Sequence, residues 1–442
     1  MINPITNRRA LLRLAVAGTI VLGAAACGGG GAEEKASGPT KITVWTWKPA
    51  SAGLAAVAKD FEKANPNVKV DVQDIGNPAI WDKITVGMAS GGKGLADVMH
   101  IGVDYLPGYM DKFPGGLADL RKLGADKYKD AFAKGLWPTV TGKDGGVYAL
   151  PWEVNPIGFF YRSDLFEKAG VDPESIKTWD DAIEAGKKIK EKTGAYLIGI
   201  NKPATTESDM DFYQSLLQQQ GAFYFNLQGD VTLNSPAAVQ AMSIIKRMND
   251  AGVIADTSGT GTKKQLINSG KMAVLPWAAW AVGYMNEGFP DQKGLWRVMQ
   301  PPAVTAGGKR TAIVNSTYLS VSGTSPHQAE AYKFVEYALT KPETINKVFK
   351  EGGVFPALTA AYADPMFSSP SDYFGGQPAL KTFVDSLTEG ADATYYSGDY
   401  ARALKIANDA QTKVLLKGAD PAAALTEAAQ QLTQQTGRKL AE

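Results

Sequence analysis

The sequence has very few of the residues on which metal sites and most acid–base catalysis depend. Among 442 residues it has one cysteine, Cys27, and two histidines, His100 and His327. Neither histidine has a spacing to other ligands that is typical of a metal site. A serine–histidine–acid triad would have to use one of these two histidines, and no P-loop, G-x-S-x-G, H-E-x-x-H or EF-hand motif is present. We therefore expect no catalytic set, no metal and no cofactor, and both histidines to be structural.

The sequence also lacks an excess of charge of either sign. Lys and Arg total 46 and Asp and Glu total 45, a net charge of +1. A chain so close to neutral offers no electrostatic basis for binding nucleic acid. Hydrophobic residues make up 44% and charged residues 21%, as in a globular protein. The length favours two or three domains.

The N-terminal residues predict an exported protein. Residues 1–26 combine three arginines, an apolar run that is too short to span a membrane comfortably, and small residues before Cys27. This pattern indicates a signal peptide, and Ala24-Ala25-Ala26-Cys27 resembles a bacterial lipobox, in which the cysteine becomes lipidated. Residues 7–12 resemble a twin-arginine signal, and general secretion is equally open. The glycine-rich residues 27–40 predict a flexible tether.

The first part of the body predicts an α/β fold. Residues 42–47 and 68–72 are β-rich, and between them lies a helical stripe of Leu54, Val57, Ala58 and Phe61. Strand, helix and strand within so short a span indicate a βαβ unit with a parallel sheet. Residues 97–101 predict the next strand. Since ligands gather beyond the carboxyl ends of such strands, Trp47 and Asp104 are candidate ligand contacts.

Residues 150–170 predict a segment that passes from one lobe into another. Pro151 and Pro156 favour an extended chain, Glu153 and Asn155 offer polar groups to a ligand, and Ser163 is the predicted N-cap of the helix that follows. Which of Glu153 and Asn155 faces the ligand is open. Residues 298–302 and 352–356 are two further predicted crossings.

Two later helices have strong start signals. Thr178 and Asp181 have the spacing of a capping box. Asp420 followed by Pro421 predicts the start of a C-terminal helix.

Aromatic residues at the predicted ends of elements, beside single polar groups, suggest a carbohydrate site. Sugars stack their C–H faces on aromatic rings, and their hydroxyl groups bond to Asp, Glu, Asn or Gln. The candidate ligand-binding residues are Trp47, Trp81, Asp104, Tyr105, Glu153, Asn155, Trp277, Trp280, Phe374 and Gln377. Trp137, Trp179 and Trp296 lack such polar neighbours and are predicted core residues.

These segments, in their order and spacing, resemble the family 1 extracellular solute-binding proteins of bacterial ABC importers, the maltose-binding-protein-like group. The resemblance covers nearly the whole mature chain. It is carried by the lipoprotein start and by residues 42–47, 61–66, 96–98, 158–170, 270–273 and 329–339. Residues 373–377 resemble a segment of a sugar-binding subgroup.

The resemblance implies a type II periplasmic-binding-protein-like fold, α/β, with two lobes joined by crossing hinge segments. The lobes would be residues 41–152 plus 302–353 and residues 153–301 plus 354–442. It also implies sugar contacts from Asp104, from residues 153–155 and from Trp277 or Trp280, between which it does not decide. Tyr105 stands where the family often has a positively charged residue, so the identity of the sugar does not carry over.

The predicted function is therefore capture of a mono- or oligosaccharide by hinge closure and its delivery to ABC permease subunits. We expect a monomer, anchored by a lipid on Cys27 at the extracytoplasmic face of the cell membrane, with no enzymatic activity. Two alternatives stay open: a secreted glycoside hydrolase, since paired carboxylates leave no sequence motif, and a binding protein for a peptide or polyamine.

Overall fold

Ten strands and fourteen α-helices make up the described chain. The computed structural model describes residues 38–204, 209–392 and 394–441. The predicted signal peptide, Cys27 and most of the predicted tether lie outside them. The strands are β1 (Thr40–Thr46), β2 (Val68–Asp74), β3 (Val98–Gly102), β4 (Leu150–Glu153), β5 (Ile157–Arg162), β6 (Ile198–Ile200), β7 (Ile254–Asp256), β8 (Val274–Ala278), β9 (Trp296–Met299) and β10 (Thr317–Val321).

The helices lie between and after these strands, and several short 3-10 turns join them. Within the described part of the chain, no helix combines the length and the apolar character needed to cross a membrane. The helices are α1 (Ala50–Ala64), α2 (Ala79–Ala89), α3 (Leu106–Lys112), α4 (Ser163–Lys168), α5 (Trp179–Thr193), α6 (Asp211–Gln218), α7 (Pro236–Asp250), α8 (Thr262–Asn268), α9 (Ala281–Gly288), α10 (Gln328–Leu339), α11 (Pro342–Gly352), α12 (Ala379–Glu389), α13 (Tyr400–Lys417) and α14 (Pro421–Thr436).

The first lobe is built on a five-stranded sheet with the order β2-β1-β3-β10-β4. Strands β1, β2 and β3 are parallel, and β10 runs antiparallel to both β3 and β4. The predicted βαβ unit is confirmed as β1, α1 and β2. The predicted apolar stripe of α1 is confirmed as well, since Leu54, Val57 and Phe61 are fully buried. Burying each such side chain stabilises a fold by about 1.5–3 kcal/mol.

The second lobe is built on an antiparallel three-stranded sheet with the order β8-β5-β9, accompanied by the parallel pair β6-β7. Trp179, at the start of α5, is 1% exposed, and Trp296 of β9 is fully buried. Their prediction as core residues is therefore confirmed. Trp137 is partly buried and packs against the core.

Three segments pass between the two sheets and lie side by side. Residues 154–156 leave β4 for β5, as predicted. On one edge Val154 N donates to Phe355 O (3.1 Å) and Ala357 N to Trp152 O (3.0 Å), so the third predicted crossing, residues 352–356, pairs with the first. On the other edge Val314 N donates to Asn155 O (3.0 Å).

The second crossing was predicted at residues 298–302, and this position is wrong. Residues 296–299 form β9 within the second sheet, where β9 pairs with β5. The chain instead meets the first crossing at residues 312–314, where Ile157 N donates to Ala312 O (2.9 Å). A proline pair at Pro301-Pro302 marked the end of a strand, and the crossing follows about ten residues later.

Helix starts were predicted with mixed success. Thr178 and Asp181 form the predicted capping box at α5, and the Asp420 side chain accepts from Ala423 N as the N-cap of α14. Ser163 is not an N-cap. It is the first residue of α4. Its hydroxyl donates to Leu295 O (3.0 Å) and so links α4 to the segment before β9.

Candidate functional site

Three aromatic residues cluster beyond the carboxyl ends of β1 and β3 in the first lobe. Trp47 directly follows β1, and Tyr105 lies three residues after β3. The ring of Trp81, from α2, is stacked on Tyr105 with centroids 4.4 Å apart and meets Trp47 edge to face at 5.2 Å. Trp47 and Tyr105 are half-buried, whereas Trp81 is 8% exposed. Trp81 therefore supports the other two rings and leaves little of its own surface for a ligand.

His100 forms the floor beneath Trp47. The two rings are parallel within 3° and their centroids are 3.6 Å apart. His100 Nδ1 is hydrogen-bonded to Thr46 Oγ1 at 2.9 Å, and burial holds the pKa of the imidazole well below its usual value of 6.5. The ring is therefore neutral at physiological pH, and it covers one face of Trp47. His100 was predicted to be structural, and in the structure its ring supports Trp47, a candidate ligand contact.

Asp104 lies between the strand end and the aromatic cluster. A Cβ atom added to Gly102 would lie 2.3 Å from Asp104 Oδ1 and 3.5 Å from the ring of Trp81. The glycine at the last position of β3 thus makes room for the carboxylate to fold back beside the tryptophan. Asp104 is half-buried. The structure therefore brings Trp47, Trp81, Asp104 and Tyr105 into one group, as the strand-end rule predicts.

Glu153 and Asn155 lie on the first crossing, and the structure separates their roles. Thr317 Oγ1 donates to Glu153 Oε2 (3.1 Å), and Asn155 also bonds to this carboxyl group. Burial raises the pKa of Glu153 from 4.5 to about 7. Asn155 is 2% exposed, and its Nδ2 donates to Asn315 O (3.0 Å). Asn155 therefore holds the crossings together, and Glu153, which is half-buried, is the better candidate for a ligand contact.

The second lobe contains a cavity of about 310 Å³ with an aromatic wall. Trp277, on β8, and Trp280, just before α9, have stacked rings with centroids 5.6 Å apart. Tyr284 stands edge-on to both, at 5.8 Å from each. Trp280 is 36% exposed and Tyr284 is 45% exposed, unusual values for large aromatic residues. Both candidate tryptophans line the cavity, so its geometry does not choose between them.

Polar side chains also line this cavity. Asn201 follows the end of β6, and its Nδ2 donates to Asp209 Oδ2 (3.1 Å). Asp211 opens α6, and Lys263 lies on α8. Sequence reasoning missed these residues, although Asn201 lies at a strand end and the strand-end rule could have found it. Asp209, Asp211 and Lys263 carry no such signal because they lie on a turn and on two helices. The remaining lining residues are Gly199, Ile200, Phe212, Met272, Leu275 and Pro276.

Phe374 and Gln377, which were predicted ligand contacts, do not line this cavity. Phe374 is 1% exposed, and its ring packs against that of Phe160 in the core with centroids 6.0 Å apart. Gln377 Oε1 accepts from Val298 N (2.7 Å), and its Nε2 donates to Val298 O (2.6 Å). The amide thus completes the hydrogen bonding of the outer edge of β9.

The two sheets, their three adjoining crossings and the strand-end groups define a two-lobed periplasmic-binding-protein-like fold. A family model described as bacterial extracellular solute-binding protein matches residues 45–345, and the chain belongs to this family. The predicted fold class and family are confirmed.

Known proteins similar to this chain include two curated binding proteins and one solved complex. The lactose-binding protein of Rhizobium radiobacter is 28% identical over 387 residues, 86% of this chain and 89% of that protein. The arabinooligosaccharide-binding protein of Bacillus subtilis (strain 168) is 27% identical over 412 residues, 90% of this chain and 93% of that protein. The ABC transporter associated binding protein of B. animalis subsp. lactis Bl-04, solved with β-1,6-galactobiose, has a TM-score of 0.73 at 26% identity, covering 91% of this chain and 100% of that one.

Proposed function

We propose that this protein captures a carbohydrate between its two lobes and delivers it to the permease subunits of an ABC transporter. The observation that carries the proposal is the cavity that Trp277, Trp280 and Tyr284 line together with a set of polar side chains. Aromatic rings can stack on the C–H faces of a sugar while Asp211 and Lys263 bond to its hydroxyl groups. The three similar proteins described above, each named for or solved with a saccharide, support the same class of ligand.

Capture depends on closure of the two lobes about the crossings. The first crossing is paired on both of its edges, so the three segments bend together as a hinge. A saccharide that contacts both the Trp47 group and the Trp277 cavity favours the closed state by its greater affinity for that state. With the second boundary moved to the crossing at residues 312–314, the lobes of this hinge are residues 41–152 plus 315–353 and residues 153–311 plus 354–442. The mechanism needs no covalent chemistry.

The proposed setting is the extracytoplasmic face of the cell membrane. The signal peptide of residues 1–26 directs export, and a lipid on Cys27 holds the monomeric body near its permease through the tether of residues 27–40. Mass spectrometry of the membrane fraction tests the anchor, because a lipidated Cys27 adds the mass of its acyl chains and a Cys27→Ala variant does not.

The binding proposal is tested by thermal unfolding of the purified protein with lactose, β-1,6-galactobiose, arabino-oligosaccharides, a peptide mixture and polyamines. A ligand at 100 times its Kd stabilises the folded state by about 2.7 kcal/mol and raises the melting temperature. We expect at least one saccharide to do so. At the same ligand concentration Trp280→Ala should reduce the shift to less than half, whereas Trp137→Ala, which changes a partly buried tryptophan outside the cavity, should keep it. Stabilisation by peptides or polyamines and by no saccharide would overturn the proposal.

One observation favours a glycoside hydrolase as the second candidate. A carboxyl group whose pKa is raised to about 7, as burial does for Glu153, can act as a general acid at neutral pH. Incubating the protein with the same saccharides and measuring reducing ends separates the two functions. Turnover that Glu153→Gln abolishes would establish the hydrolase, and the binding proposal predicts unchanged saccharides.

A further inference from the structure

Asn315 has an unusual backbone conformation at the point where the second crossing enters the first lobe. Its φ is 51°, and in the described part of the chain no other residue except glycine has a positive φ. The left-handed region costs most side chains about 1 kcal/mol or more, and asparagine tolerates it best. Such a conformation persists where the surrounding contacts hold it in place.

The main chain around Asn315 is held from two directions. Asn155 Nδ2, on the first crossing, donates to Asn315 O (3.0 Å). The next residue, Ser316, accepts through its carbonyl oxygen from Val103 N (2.9 Å), directly before Asp104. The backbone of residues 315–316 is therefore tied both to the hinge and to the strand end that carries Asp104.

The side chain of Asn315 reaches into the second lobe. Its Nδ2 donates to Asp211 Oδ1 (3.1 Å), and Asp211 lines the cavity beside Trp277 and Trp280. The backbone of Asn315 is thus held by the first crossing, and its side chain contacts the second lobe. Bending of the hinge at Asn315 would therefore change the position of its amide relative to the Asp211 carboxylate. A hydrogen bond to a carboxylate is among the stronger ones in proteins.

We infer that Asn315 is a positioning residue that sets the orientation of the Asp211 carboxylate in the ligand cavity according to the state of the hinge. This inference rests on the proposed function, since it assumes that the cavity binds a saccharide. Asn315 acts through Asp211 and through the crossings.

The test compares the saccharide affinity of four variants with that of the wild type, by calorimetry with whichever of lactose, β-1,6-galactobiose or arabino-oligosaccharide gives the largest thermal shift. Asn315→Gly keeps the backbone conformation and removes the amide, so the Kd should rise about tenfold with little change in the melting temperature. Asn315→Asp places a second carboxylate against Asp211 and should raise the Kd further. The double variant Asn315→Asp with Asp211→Asn restores a donor and an acceptor and should bind more tightly than Asn315→Asp alone.

Asn346→Asp is the matched control. Asn346, on α11, lies 3.5 Å from Asp364 Oδ2 and donates to Ala361 O (3.0 Å), so its substitution also creates a pair of carboxylates, outside the cavity. It should lower the melting temperature and leave the Kd unchanged.

The possible failures are distinct. A wild type that binds none of the three saccharides overturns the proposed function together with this inference. A wild type that binds, with an Asn315→Gly variant that binds equally well or a double variant no better than Asn315→Asp, overturns the inference alone.

Discussion

Replacing Glu153 by glutamine should remove one component of the pH dependence of stability. The carboxyl group of Glu153 lies on the first crossing, where its two hydrogen-bond partners, Thr317 and Asn155, are neutral. Burial therefore disfavours the charged form and raises the pKa from 4.5 to about 7. Glutamine keeps the shape of the side chain and can accept the hydrogen bond from Thr317, but it does not titrate.

The sign of the effect follows from the direction of the shift. The folded state binds the proton of Glu153 more tightly than the unfolded state does, so its stabilisation is complete below pH 4.5 and is lost as the pH rises through about 7. The rise in pKa corresponds to roughly 3 kcal/mol at about 1.4 kcal/mol per pH unit. This is a large part of the 5–15 kcal/mol that is typical of a folded protein.

Urea unfolding of the wild type and of Glu153→Gln, at fixed pH values between 4.5 and 8, measures the contribution of Glu153 to stability. As the pH rises over this range, the wild type should lose about 3 kcal/mol of unfolding free energy relative to Glu153→Gln, most of it below pH 7. His100 works in the opposite sense, since its lowered pKa costs stability as the pH falls below 6.5, but it is present in both proteins and cancels. Glu343→Gln, which removes an exposed glutamate on α11, is measured in parallel as the control. Parallel curves for the wild type and Glu153→Gln would refute the buried-carboxyl argument.

Three further substitutions have expected results. His100→Ala removes the ring under Trp47 and should raise the saccharide Kd by up to about tenfold in calorimetry, since a stacked aromatic pair is worth about 0.5–1.5 kcal/mol. Trp280→Ala should cost roughly 2 kcal/mol of binding energy, as for other exposed aromatic anchors, with a smaller effect on the melting temperature than Trp277→Ala. Asp420→Ala removes the N-cap of α14 and should lower the free energy of unfolding in urea by about 1 kcal/mol, with the Kd unchanged.

Each of these three has an outcome that contradicts it. Unaltered binding by His100→Ala would show that Trp47 needs no support or makes no contact with the ligand. Unaltered binding by Trp280→Ala together with weakened binding by Trp277→Ala would limit the aromatic contact to Trp277. A loss of affinity in Asp420→Ala would show that α14 takes part in closure.

The elements predicted well from sequence are those whose signals are local. The βαβ unit follows from the spacing of Ile42, Phe61 and Val68, because burial against a sheet requires that periodicity. The group around Trp47 and Asp104 follows from the strand-end rule, which needs no knowledge of side-chain packing. The capping box of Thr178 follows from a spacing of three residues.

Predictions failed where a residue's partner is distant in sequence. Ser163 has the composition of an N-cap, but its hydroxyl bonds to Leu295, 132 positions away. Gln377 has the polar chemistry of a ligand contact, but both ends of its amide are used by Val298. The second crossing was misplaced because strand β9 and the crossing at residues 312–314 are both extended, and which of them pairs with the first crossing depends on tertiary contacts.

The polar groups of the hinge form a continuous chain that explains why the sequence left Glu153 and Asn155 undecided. Thr317 bonds to Glu153, Glu153 to Asn155, Asn155 to the backbone of Asn315, and the Asn315 amide to Asp211. Each residue of this chain has a partner from another segment, so no local motif distinguishes a ligand contact from a link between crossings. Burial distinguishes the two residues of the first crossing, because Asn155 is 2% exposed whereas Glu153 is half-buried. Asp211, at the end of the chain, lines the cavity. The two ends of the chain are thus connected through Asn315, whose backbone carbonyl bonds to Asn155 and whose side-chain amide bonds to Asp211.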